Sequence, residues 1–72
     1  MPHIIIKMYP GRTEETKKDI ARKTRDFLMK EMKMDAKYFS VSIEEIEKEN
    51  WQNKVIDKID AKNLYIGSDF YN

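Results

Sequence analysis

Two β-rich runs, separated by a stretch that carries only helical signals, limit this chain to very few architectures. His3 to Tyr9 (HIIIKMY) and Phe39 to Ile46 (FSVSIEEI) are rich in β-branched and aromatic residues and read as strands. Pro10-Gly11 stops the first run. From Arg12 or Thr13 to about Met32 or Lys33 the pattern changes to a helical period. Ile20, Thr24, Phe27, Leu28 and Met32 form the expected buried stripe. Thr13 suits an N-cap, and Glu14 and Glu15 suit the positive end of the helix dipole. Lys17, Lys18, Arg22, Lys23, Arg25 and Lys30 fall mainly on the remaining surface. Strand, long helix, strand is a βαβ unit, with parallel strands and a right-handed crossover. The expected fold class is therefore α/β (α+β).

In the first strand, Ile4, Ile6 and Met8 share one face, and His3, Ile5, Lys7 and Tyr9 share the other. In the second, Phe39, Val41 and Ile43 oppose Ser40, Ser42 and Glu44. Apolar residues on both faces of the first strand predict that both are at least partly covered. Met34 to Tyr38 is a connection and Glu47 to Asn50 a polar loop. Trp51, Val55, Ile56 and Ile59 predict a short helix from about Trp51 to Ala61. The tail, Asn63 to Asn72, holds Leu64, Tyr65, Ile66, Phe70 and Tyr71, which suits packing on a partner or a short strand. The whole, residues 1–72, reads as one domain with a core at 2–51 and a C-terminal helix and tail at 51–72.

Two strands under one helix leave a sheet face and two edges uncovered, and such a sheet is not stable alone. The length of 72 residues points the same way. A domain this small buries only about 60% of its unfolded surface, so it needs a staple. With no Cys and a single His, disulfides, thiolate sites and histidine clusters are excluded. A second copy of the chain is the remaining device. The charge balance of 14 basic against 13 acidic residues gives no field for nucleic acid. No apolar stretch approaches the ~20 residues of a membrane span, and the N-terminus lacks the pattern of a signal peptide. A cytoplasmic protein without nucleic-acid or membrane partners is expected.

The chemical vocabulary is sparse. Gly11 and Gly67 are the only glycines, so no phosphate-cradling loop exists. Glu44, Glu45, Glu47 and Glu49 read as a solvated strand end rather than a cation site. Pro2 is the exception. An internal proline has no N–H and no basic nitrogen. Removal of Met1, which a small following residue usually permits, would turn the same atom into a free secondary amine and a candidate base.

MPHIIIKMYPGRTEE, the helix of about twenty residues, FSVSIEEI, and a loop ending in Trp51 together resemble the 4-oxalocrotonate tautomerase family. The resemblance runs from Pro2 to Trp51 and leaves out the tail. It implies a βαβ fold completed by homo-oligomerisation, as a dimer or a hexamer, and a keto–enol tautomerase that needs no cofactor or metal. Its substrates would be small 2-oxo or enol carboxylic acids. By the same resemblance Pro2 matches the catalytic N-terminal proline. Arg12 matches an arginine that binds the substrate carboxylate, usually from a neighbouring subunit. Trp51 falls where an aromatic residue lines the pocket. Ser40 stands where the family has a second arginine, a departure that puts a dicarboxylate substrate in doubt. Ser40, the Trp51-Gln52 pair and the longer tail look more like the bacterial phenylpyruvate-type subgroup. Beside these roles stand plainer ones: Arg12 stacked on Tyr9 or paired with Glu15, Trp51 as an ordinary packing aromatic, Ser40 as a strand serine, His3 as packing at the strand start. A non-catalytic oligomeric binding module on the same fold is the alternative function. Hydration or dehalogenation of an unsaturated acid ranks behind both.

Overall fold

The computed structural model describes residues 1–67. Strand β1 (His3–Met8) leads through the Pro10-Gly11 turn into helix α1 (Glu14–Met32). A 3-10 turn at Ala36–Tyr38 returns the chain to strand β2 (Ser40–Glu45). The two strands pair in parallel, with His3 opposite Ser40 and Met8 opposite Glu45. Both strands and α1 lie within about two residues of their expected ends.

The local chemistry explains these boundaries. Gly11 has φ +127°, and a side chain there would meet nothing within 4 Å, so backbone conformation rather than space favours glycine. Thr13 caps α1: its extended backbone turns the hydroxyl oxygen to accept from the Thr16 N–H at 3.2 Å. At the other end Lys33 adopts the left-handed conformation, and the Met34 N–H reaches the Met29 carbonyl at 3.2 Å in a Schellman-type close.

The register sorts the sheet into two faces. Ile4, Ile6, Met8, Val41 and Ile43 share the face under α1, where Lys17 of the helix also meets Glu45 at 3.2 Å. His3, Ile5, Lys7, Ser40, Ser42 and Glu44 share the opposite face. Within one chain α1 covers only the first of these faces: on the second, His3, Ser40 and Glu44 are exposed, and Ile5 is 52% exposed. No described residue is fully buried. In the helical stripe Ile20, Thr24 and Leu28 are half-buried, and the Thr24 hydroxyl donates to the Ile20 carbonyl at 2.8 Å. Phe27 and Met32 depart from the expectation, at 63% and 47% exposure. The reason is size: a 19-residue helix is about 28 Å long, whereas a six-residue strand spans about 20 Å and the sheet is two strands wide.

The predicted helix from Trp51 to Ala61 is corrected. After a 3-10 turn at Lys48–Asn50, α2 covers only Trp51–Lys54, and 3-10 turns follow at Ile56–Lys58 and Ala61–Asn63. Val55 leaves helical geometry at φ −118°, ψ −65°. Two adjacent β-branched residues, Val55 and Ile56, resist the helix. Asp60 then caps the last turn by accepting from the Lys62 N–H at 3.2 Å. No strand forms at 63–67, where Leu64 is half-buried and Tyr65 and Ile66 are 94% and 89% exposed. Phe70 and Tyr71 lie outside the described residues.

Candidate active site

The parallel ladder brings Pro2 and Ser40 together at the start of the sheet. The Ser40 N–H donates to the Pro2 carbonyl at 3.3 Å, and Pro2 is half-buried. With Met1 attached, the Pro2 nitrogen is an amide; without it, that nitrogen stands one residue ahead of β1 as an amine. On the open face, the Ser40 hydroxyl lies 2.7 Å from His3 Nδ1, and the Ser42 hydroxyl 3.4 Å from His3 Nε2.

Arg12 and Trp51 sit at the other end of β1. The Ile46 N–H donates to the Met8 carbonyl at 2.8 Å and keeps β2 aligned to the end of the ladder. Beyond it, the rings of Tyr9 and Trp51 meet edge to face, with centroids 4.9 Å apart and planes at 81°. Trp51 also lines an open apolar groove with Val55, Ile56, Ile59, Leu64 and Ile66. Arg12 is exposed, and its guanidinium has no hydrogen bond or ion pair among the described residues, neither with Glu15 nor elsewhere. Tyr9, the alternative stacking partner for Arg12, is engaged by Trp51 instead.

The acidic residues at the end of β2 are largely answered by lysines. Glu44 faces Lys7 at 4.0 Å, and Lys7 also reaches the Lys54 carbonyl at 3.5 Å. Lys17 bridges Glu14 at 2.8 Å and Glu45 at 3.2 Å. Those carboxylates, Glu14 first, raise the pKa of Lys17, and the Lys17 ammonium lowers that of Glu14. Asp19 is lowered by Lys23 and, less, by Arg22. Among the described residues no cluster of three metal-capable side chains forms.

The separation of the two groups decides what one chain can do. Seven residues of extended backbone from Pro2 to Tyr9 span about 23 Å. Pro2 and Ser40 share one end of that span, and Trp51, with Arg12 three residues past Tyr9, the other. Two participants escape the sequence reading. His3, expected to pack at the strand start, lies opposite Ser40 in the register. Tyr9 is the partner of Trp51. The alternation of the two strands carried the first signal, once their register is known.

A family model described as "Tautomerase enzyme" matches residues 2–67. The chain belongs to the tautomerase family. A probable tautomerase of Xylella fastidiosa (strain 9a5c) is 31% identical over 55 residues, covering 76% of this chain and 67% of the relative. The crystal structure of YwhB, a homologue of 4-oxalocrotonate tautomerase, superposes with a TM-score of 0.64 at 22% identity, over 88% of this chain and 98% of the other. That likeness establishes the shared βαβ fold. The family match extends past Trp51, into the segment that the motif resemblance left out. Membership of the tautomerase family makes the protein an isomerase. No helix among the described residues is long and apolar enough to cross a membrane.

Proposed function

We propose that this tautomerase interconverts the keto and enol forms of small 2-oxo carboxylic acids without a cofactor, and that the Pro2 nitrogen, freed by removal of Met1, is its general base. The observation that carries this reading is the use made of Pro2. Its carbonyl is held by the Ser40 N–H, while its nitrogen lies ahead of the ladder. Neutral secondary amine at that position takes the enol O–H proton, the enolate electrons move toward carbon, and the resulting prolinium returns the proton to that carbon. An apolar wall and a neighbouring guanidinium both favour the neutral amine that the first step requires.

Arg12 supplies the guanidinium from a second copy of the chain. Its freedom from partners among the described residues suits two hydrogen bonds to a substrate carboxylate, and the span of about 23 Å within one chain supports the second copy as its source. Trp51 walls off water beside the planar substrate, and Ser40 offers a hydroxyl where the resemblance leads one to expect an arginine. A single neutral donor in that place suits a substrate with one carboxylate. The open sheet face and the exposed Phe27 and Met32 supply surface for assembly.

Ketonisation of phenylenolpyruvate, followed by its ultraviolet absorbance, tests the base. Pro2→Ala and a form that retains Met1 are expected to lose about 100-fold or more in kcat/KM, the scale of general-base catalysis. Full turnover by both overturns the assignment.

A further inference from the structure

The open sheet face carries a polar chain of which the steps above use only Ser40. His3 stands opposite Ser40 in the register, and its imidazole spans two serine hydroxyls on β2. Nδ1 is 2.7 Å from Ser40 Oγ, and Nε2 is 3.4 Å from Ser42 Oγ. The same Ser40 gives its backbone N–H to the Pro2 carbonyl. The remaining charged groups on this face, Lys7 and Glu44, lie four positions along and face each other at 4.0 Å.

A serine hydroxyl has one hydrogen, and a neutral imidazole has one donor nitrogen and one acceptor. If Ser40 gives its hydrogen to Nδ1, it offers a substrate oxygen only lone pairs, which repel a carboxylate or an enolate. If Nδ1–H donates to Ser40 instead, the Ser40 hydrogen is released toward a third partner. That arrangement requires Nε2 to accept, and the Ser42 hydroxyl is placed to donate to it. The chain then runs from Ser42 through His3 to Ser40 and ends in a free O–H at the start of β2, next to Pro2.

The geometry points to His3 as a positioning residue that keeps Ser40 a hydrogen-bond donor toward the carbonyl or enolate oxygen of the substrate. This rests on the reading of Pro2 as the base. The benefit falls in the reaction step, because charge gathers on that oxygen in the transition state.

The test compares kcat and KM on phenylenolpyruvate for Ser40→Ala, His3→Phe, the double variant, His3→Asn and Pro2→Ala, with thermal melts to verify folding. Ser40→Ala and His3→Phe are each expected to lower kcat about tenfold, the scale of one directed hydrogen bond, with little change in KM. The double variant falls no further than either single one. His3→Asn keeps an amide near the Nδ1 position and restores most of the rate. Losses that multiply in the double variant, or His3→Asn as slow as His3→Phe, overturn the inference. So does a full rate for His3→Phe beside a slow Ser40→Ala. A full rate for Pro2→Ala overturns the base assignment alone, since the coupling of His3 to Ser40 is read from the other four proteins.

Discussion

The two ends of β1 differ in how completely a single chain furnishes them. At the start, Pro2, His3 and Ser40 are joined by a backbone hydrogen bond and a side-chain hydrogen bond. At the finish, Tyr9 and Trp51 hold each other edge to face, while the Arg12 guanidinium has no internal partner among the described residues. The first end has its polar groups fixed before any ligand arrives; the second presents a charge that no described residue answers. Such a charge, on a turn held by Gly11 and by the Thr13 cap, suits the carboxylate-binding role proposed for Arg12.

Substitutions can break this comparison from either side. The largest effect belongs to the start, where Pro2→Ala replaces the secondary amine proposed as the base with a more flexible primary one. At the finish, Arg12→Ala is expected to lower kcat/KM for phenylenolpyruvate by about 10- to 100-fold, the scale of charge-assisted hydrogen bonds, chiefly through KM. An unchanged KM would return Arg12 to the role of a solvated turn residue. The smallest effect concerns the pin between α1 and β2, away from both ends. Lys17→Met is expected to lower the melting temperature slightly at neutral pH, with a loss that shrinks in high salt. The wild-type pH dependence follows from the shifts. The pKa of Lys17 is raised, so its contribution is present below 10.5 and is lost as pH rises through the higher folded value. The pKa of Glu14 is lowered, so its contribution is present above 4.5 and is lost as pH falls through the lower folded value. A melting curve of Lys17→Met that follows the wild type at every pH would show that the pin is not needed.

The βαβ unit was legible because its two periods, two for the strands and 3.6 for the helix, change at chemically marked points, Pro10-Gly11 and Thr13. Periodicity names the face of a helix but not how much of it the neighbouring layer can reach. That is why Phe27 and Met32 fit the stripe and yet lie exposed. The spacing of Trp51, Val55 and Ile59 suits a continuous helix, and that pattern does not register how the adjacent β-branched Val55 and Ile56 disfavour one. For the site, Pro2, Arg12, Ser40 and Trp51 could be named through the family resemblance. Their division between the two ends of a strand became visible only with the register. The partnership of His3 with Ser40 emerged in the same way, since neither residue is unusual alone.

If the two ends belong to one active site, they must come from different chains. Mixing Pro2→Ala and Arg12→Ala proteins in equal amounts, with dissociation and reassembly, tests this on phenylenolpyruvate. Random reassortment in a symmetric oligomer gives about a quarter of the sites both native residues, and the predicted result is activity recovered to about that fraction of the wild type. A mixture no more active than the sum of its two parents, with exchange of subunits verified by mass spectrometry, would contradict the account.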